Sequence, residues 1–122
     1  MRLLIVDDSR IIRNRIQRAV RDYNLEVVGT AGNGKEAIQL VSTVDPQLVT
    51  MDLTMPEVDG IESIERILAI NPGLLILVVS ALADKATAIE AIKKGAHGFL
   101  CKPFTEEELT DALGLLIKGS AL

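Results

Sequence analysis

The chain has no tryptophan, one tyrosine and two phenylalanines in 122 residues. Single-stranded nucleic acids bind by stacking bases on aromatic rings, so this scarcity argues against such a platform. Positive charge is also short: 13 Lys and Arg stand against 17 Asp and Glu, a net charge of −4. That is the wrong sign for a general nucleic-acid or anionic-membrane binder. Cys101 is the single cysteine, which leaves no intrachain disulfide and no cysteine-based zinc site. Such usage fits a reducing, cytoplasmic compartment. No run approaches the ~18 consecutive apolar residues of a membrane span, and the start of the chain lacks the apolar stretch of a signal peptide. What is present is ordinary for a globular protein: 48% hydrophobic and 25% charged residues. The length suits a single domain over residues 1–122.

Short apolar runs occur at Leu3–Val6, Leu25–Val28, Leu48–Met51, Leu74–Val79 and Gly98–Cys101. None alternates cleanly between polar and apolar, so they read as parallel strands covered on both faces. Segments with helical spacing separate them. They carry Ile12, Ile16, Ala19, Val20 and Tyr23; Ala37, Ile38 and Val41; Ile61, Ile64, Ile67 and Leu68; Ala88, Ile89 and Ile92; and Leu109, Leu113 and Leu116. Asn33 with Glu36, Asp59 with Glu62, and Thr105 with Glu108 have the spacing of helix N-terminal caps. Gly95 after Lys93 and Lys94 marks a helix end. Five strand–helix units predict a three-layer α/β/α sandwich, doubly wound around a parallel sheet.

In such folds ligands sit beyond the carboxyl ends of the strands, where the strand order reverses. Asp7 and Asp8 follow the first run, Asp52 the third, Ser80 closes or follows the fourth, and Lys102 follows the fifth. Three carboxylates held close together repel one another unless a cation binds or a pKa rises. An all-oxygen set suits Mg²⁺, which keeps some of its waters. One aspartate alone would read as a helix cap; three with a serine and a lysine on one sheet edge read as a site. Asp52 can serve as a carboxylate nucleophile. A metal and Lys102 can neutralise a transferring phosphoryl group, and Ser80 can donate to its oxygens.

Asp7-Asp8, the run Met51-Asp52-Leu53-Thr54-Met55-Pro56 followed by Asp59-Gly60, then Ser80-Ala81 and Lys102-Pro103-Phe104, together resemble a response-regulator receiver domain. The likeness spans essentially the whole chain and is strongest to stand-alone, CheY-like chemotaxis regulators. It implies a flavodoxin-like fold with strand order 2-1-3-4-5, and phosphoryl transfer from a histidine kinase to Asp52. It implies Mg²⁺ held directly by Asp8, Asp52 and the Thr54 carbonyl, with Asp7 acting through a water. Lys102 would pair with the acceptor carboxylate and then the phosphoryl group. Ser80 would be the switch hydroxyl, Phe99 the aromatic switch, and the Lys102–Pro103 peptide cis. Output would pass to a partner protein on the face of the fourth helix, fifth strand and fifth helix, with neither nucleic acid nor membrane bound by this domain. The domain would be no enzyme beyond taking phosphate from donors and slowly losing it. In fast-hydrolysing relatives, polar side chains two residues after the acceptor and two after the switch hydroxyl hold the attacking water. Here those positions are Thr54 and Leu82, which implies a long-lived phosphoryl group and a separate phosphatase. A receiver cut from a longer, for example DNA-binding, regulator and a phosphorelay shuttle are the alternatives.

Other features carry weaker readings. Gly29–Lys35 matches most of a phosphate-binding loop, but Glu36 stands where a Ser or Thr must meet Mg²⁺; it reads as a turn with an Asn33/Glu36 cap. A small Mg²⁺-dependent aspartyl phosphatase would need a general acid two residues after Asp52, where Thr54 stands. His97 reads as solvated or packed in a loop, and Cys101 as an inert buried thiol. Phe99 reads equally well as a core aromatic. Arg10, Arg13, Arg15, Arg18 and Arg21 read as a solvated face of the first helix, with contact to an acidic partner helix as the alternative.

Overall fold

The computed structural model describes residues 1–53, 59–81 and 85–120. The expected alternation is present: β1 (Arg2–Val6), α1 (Arg10–Val20), β2 (Glu26–Ala31), α2 (Gly34–Val44), β3 (Leu48–Met51), α3 (Gly60–Ile70), β4 (Leu75–Ser80), α4 (Lys85–Lys93), β5 (Gly98–Cys101) and α5 (Glu106–Ser120). The strands form one parallel sheet in the order β2-β1-β3-β4-β5. This is the flavodoxin-like arrangement, with the reversal of direction between β1 and β3.

Strand residues alternate between two cores, as a period of two requires. Leu4, Val6, Val49, Met51, Ile76 and Val78 pack with residues of α2, α3 and α4 such as Ala37, Ile64 and Ala91. Leu3, Ile5, Leu48, Leu77 and Val79 pack with Ile16 of α1 and Leu109 and Leu113 of α5. Because both faces are covered, the strands read as unbroken apolar runs.

The caps hold the helix starts where the spacing placed them. Asn33 accepts from Glu36 N at 2.8 Å and Asp59 from Glu62 N at 3.0 Å. Thr105 and Glu108 form a complete reciprocal box, both bonds at 3.0 Å. Gly95, at φ 117°, ends α4 with the paired bonds Gly95 N–Ile92 O and Ala96 N–Ala91 O. These are the two bonds of the Schellman motif, which needs a left-handed residue at that point.

Several expectations are corrected. β2 starts one residue later and runs three residues beyond the apolar stretch. Gly29, Thr30 and Ala31 pair with Leu4, Ile5 and Val6 after an irregularity between Leu3 and Leu4. Backbone pairing needs no apolar side chain, so composition did not mark that end. β4 includes Ser80, paired with Cys101. Tyr23 lies beyond α1 and is exposed. On α4, Ile89 and Ile92 are 49% and 47% exposed, while Ala91 is the residue buried in the core. Cys101 is exposed rather than buried, because it ends the edge strand, past the cover of the helices.

Candidate functional site

The switch point between β1 and β3 brings the acids together. Beyond β1, Asp7 keeps its backbone in line through Asp7 N–Ala31 O at 3.0 Å; beyond β3, Asp52 does the same through Asp52 N–Val6 O at 3.0 Å. Both carboxylates are therefore carried on rigid strand ends, and both residues are 1% exposed. Asp8 follows on the solvent side and is exposed. One oxygen from each of Asp7, Asp8 and Asp52 lies within 4.8 Å of the others.

Lys102 enters from the end of β5, its backbone N–H bonded to Ser80 O at 2.9 Å. The Lys102–Pro103 bond is cis, as the motif implied. Lys102 Nζ lies 2.7 Å from Asp7 Oδ2 and 3.5 Å from Asp52 Oδ2. The lysine thus sits nearer Asp7 than the expected partner Asp52. The close contact is an ion pair rather than an aligned hydrogen bond, since Asp7 Oδ2 is buried with no bond of good geometry. Asp7 Oδ1 accepts from Ser9 N at 2.9 Å. Burial pushes the Asp7 carboxyl above the ordinary aspartate range, and the Asp52 charge adds to that; Lys102 and the Ser9 amide pull it back.

This donor set fits a hard divalent cation. It offers only carboxylate oxygens, more negative charge than one lysine neutralises, and a buried Asp7 oxygen that lacks a well-aligned donor. Ser80 is fully buried at the end of β4, beside the Lys102 backbone. Phe99, in the middle of β5, is half-buried against the core on the α2–α3–α4 side. Thr54 and Leu82 lie outside the described residues. His97 is exposed, and its Nδ1 accepts from Ile76 N at 3.1 Å, in keeping with a loop-packed role.

The α1 arginines do not form one solvated face. Arg18 and Arg21 are exposed, but Arg13 is half-buried and donates to the Asp7 carbonyl at 2.7 Å. Arg15 lies over the Phe104 ring, 5.4 Å from its centre. The spacing held a signal: Arg13 is one helical turn after the cap residue Ser9, on the side that returns to the site.

The model of the response regulator receiver domain matches residues 3–114. The chain belongs to that family. As a receiver domain it is 42% identical to the chemotaxis protein CheY of Listeria monocytogenes, over 93% of this chain and 95% of that protein. It is likewise 42% identical to CheY of Thermotoga maritima, over 96% and 98%. Its fold superposes on the crystal structure of the CheX–CheY–BeF3–Mg²⁺ complex from Borrelia burgdorferi with a TM-score of 0.92 at 25% identity, covering 96% of this chain and 89% of that one. This receiver domain is thus a CheY-like member of two-component signalling, with no enzyme family indicated. Among its described residues no helix is long and apolar enough to cross a membrane.

Proposed function

We propose that this receiver domain is a cytoplasmic phosphorylation switch that acts through partner proteins in chemotaxis or motility. Asp52 takes a phosphoryl group from a phosphohistidine of a histidine kinase. An Asp52 carboxylate oxygen attacks phosphorus, the P–O bond forms as the P–N bond breaks, and the departing imidazole takes up a proton. The observation that carries this reading is the Asp52 carboxylate on a rigid strand end, with the carboxylates of Asp7 and Asp8 within 4.8 Å and Lys102 Nζ at 3.5 Å. Transfer to a carboxylate is chiefly a matter of placing the acceptor and offsetting charge on the phosphoryl oxygens.

Asp8 and Asp52, with the Thr54 carbonyl, would hold Mg²⁺ directly, and Asp7 would hold it through a water; bound there, the ion would supply charge neutralisation. Lys102 holds the acids before transfer and moves its charge toward the phosphoryl oxygens after it. Ser80 donates its hydroxyl to the same group. The phosphorylated state is then favoured by whatever it gains from those two contacts. Phe99 follows Ser80 and alters the face made by α4, β5 and α5. Support for that face as the output surface comes from Ile89 and Ile92, apolar side chains about half exposed on α4. The Borrelia relative is described in complex with CheX and Mg²⁺, which supports both a protein partner and the metal. The match to nearly the whole length of two CheY proteins supports a free-standing domain.

Incubation with acetyl phosphate and Mg²⁺ tests the reading. The protein should gain one phosphoryl mass, and Asp52→Asn should gain none. Uptake by Asp52→Asn at the wild-type rate removes Asp52 as acceptor. Many turnovers of released phosphate with little phosphoprotein would instead favour a phosphatase.

A further inference from the structure

Gly60 begins α3 and is buried against the end of β3. Its backbone is outside the left-handed region, so conformation alone does not call for glycine, and alanine favours a helix by up to ~1 kcal/mol. Space is what calls for it. A Cβ on residue 60 would lie 2.5 Å from Leu53 Cα, 2.7 Å from the Asp52 carbonyl oxygen and 2.9 Å from Leu53 Cδ2. Two of those three are backbone atoms, which cannot rotate aside. At Gly98, by contrast, a Cβ would meet only the side-chain ends of Leu77 and Leu116, at 3.2 and 3.5 Å.

The neighbours decide where an added methyl group would push. α3 is anchored by Ile64 and Ile67, both fully buried, and by Ser63 Oγ donating to Asp59 O at 2.9 Å. The β3 ladder is anchored through Met51, paired with both Val6 and Val78. The Asp52–Leu53 peptide lies just past that ladder, joined to α3 by Gly60 N–Leu53 O at 3.4 Å. The displacement therefore falls on the peptide that carries the Asp52 side chain.

The geometry points to Gly60 as a positioning residue for the acceptor: its bare Cα lets the first turn of α3 press on the Asp52–Leu53 peptide and fix the Asp52 carboxylate against Asp7 and Lys102. This rests on Asp52 being the phosphoryl acceptor. Misplacing a reacting group by about 1 Å costs on the order of 100-fold in rate.

The test compares wild type, Gly60→Ala and Gly114→Ala. Residue 114 is helical, and a Cβ there meets nothing within 4 Å. Phosphoryl uptake from acetyl phosphate is measured at saturating Mg²⁺, at a temperature where circular dichroism shows each protein folded. Mg²⁺ affinity is titrated separately, so that lost metal is not mistaken for a misplaced acceptor. Gly60→Ala should be slower by roughly 10- to 100-fold, with Gly114→Ala unchanged. A merely structural glycine would lower the melting temperature and leave the uptake rate of the folded protein alone, and that result overturns the inference. If Gly60→Ala does not fold alone, it is measured in the Gly114→Ala background; failure to fold there also assigns Gly60 a structural role only. Wild-type protein that takes up no phosphate defeats the acceptor assignment itself. Wild-type uptake matched by Gly60→Ala defeats the Gly60 inference alone.

Discussion

At the carboxyl end of the sheet, Lys102 meets Asp7 at 2.7 Å with side chains 15% and 1% exposed. At the amino end, Arg2 meets Asp45 at 3.3 Å with side chains 41% and 77% exposed. Both are single ion pairs at strand ends, yet their settings differ. Arg2 also donates from Nε to the Asp45 carbonyl at 2.7 Å, where α2 ends on a left-handed residue, φ 47°. That end uses charge to finish a turn, in water. The other end keeps two carboxylates dry with one lysine between them. The Asp7 pKa is raised on folding, so the folded state holds that proton more tightly than the unfolded state does. Ionising Asp7 as pH rises through that range therefore takes stability away. The fold bears this cost at the end where the chemistry is, and keeps the amino end cheap.

The largest effect should come from removing the shared cation. Lys102→Ala leaves Asp7 and Asp52 without their lysine, and in metal-free buffer it should lower the unfolding free energy by about 3 kcal/mol, near the low end for breaking a buried pair. Urea unfolding with EDTA present measures it. A loss no greater than that of Arg2→Ala would erase the contrast between the two ends.

Metal should act at one end alone. Mg²⁺ at ten times its dissociation constant should stabilise the wild type by about 1.4 kcal/mol, by mass action on the folded state. Asp8→Ala, which removes an exposed ligand without touching the core, should lose that gain and most Mg²⁺ affinity by titration calorimetry. Undiminished affinity would remove Asp8 from the ligand set.

Much of this contrast was legible in the sequence, for a topological reason. A parallel sheet puts every strand's carboxyl end on one edge, so Asp7, Asp8, Asp52, Ser80 and Lys102 could be gathered by noting what closes or follows each apolar run. What escaped depends on distances between elements. Arg13 looked like one arginine of five, and only the packing of α1 beside β1 brings it to the Asp7 carbonyl. Gly60 looked like half of a turn motif, and its meaning lies in the atoms of β3 that a Cβ would strike. Cys101 was misread because an apolar run does not show which strand is the sheet's edge. Ile89 and Ile92 were misread because helical spacing identifies a stripe without saying whether anything covers it.

The phosphoryl lifetime sharpens the comparison through residues at the same end. Leu82 cannot hydrogen-bond an attacking water and Thr54 is short, so loss of phosphate should be slow. Thr54→Asn with Leu82→Glu should hasten decay of the purified phosphoprotein about tenfold, the equivalent of ~1.4 kcal/mol of water orientation. Wild-type decay as fast as that double variant would show that these positions do not set the lifetime.

The smallest effect belongs to the amino end. Arg2→Ala removes an exposed ion pair, which contributes less than about 1 kcal/mol, and should leave phosphoryl uptake unchanged. Salt separates its two parts. At 1 M NaCl the screening length is about 3 Å, so the Arg2–Asp45 charge attraction fades, while the Nε bond to the Asp45 carbonyl persists. The stability difference between wild type and Arg2→Ala should therefore shrink in salt without vanishing, and what remains is the carbonyl bond that closes the α2 turn. Lys102 and Asp7, shielded from bulk ions, should show no comparable shrinkage for Lys102→Ala. Equal salt sensitivity at both ends would mean that solvent reaches Asp7 as freely as Asp45, and that burial is not what distinguishes the two pairs.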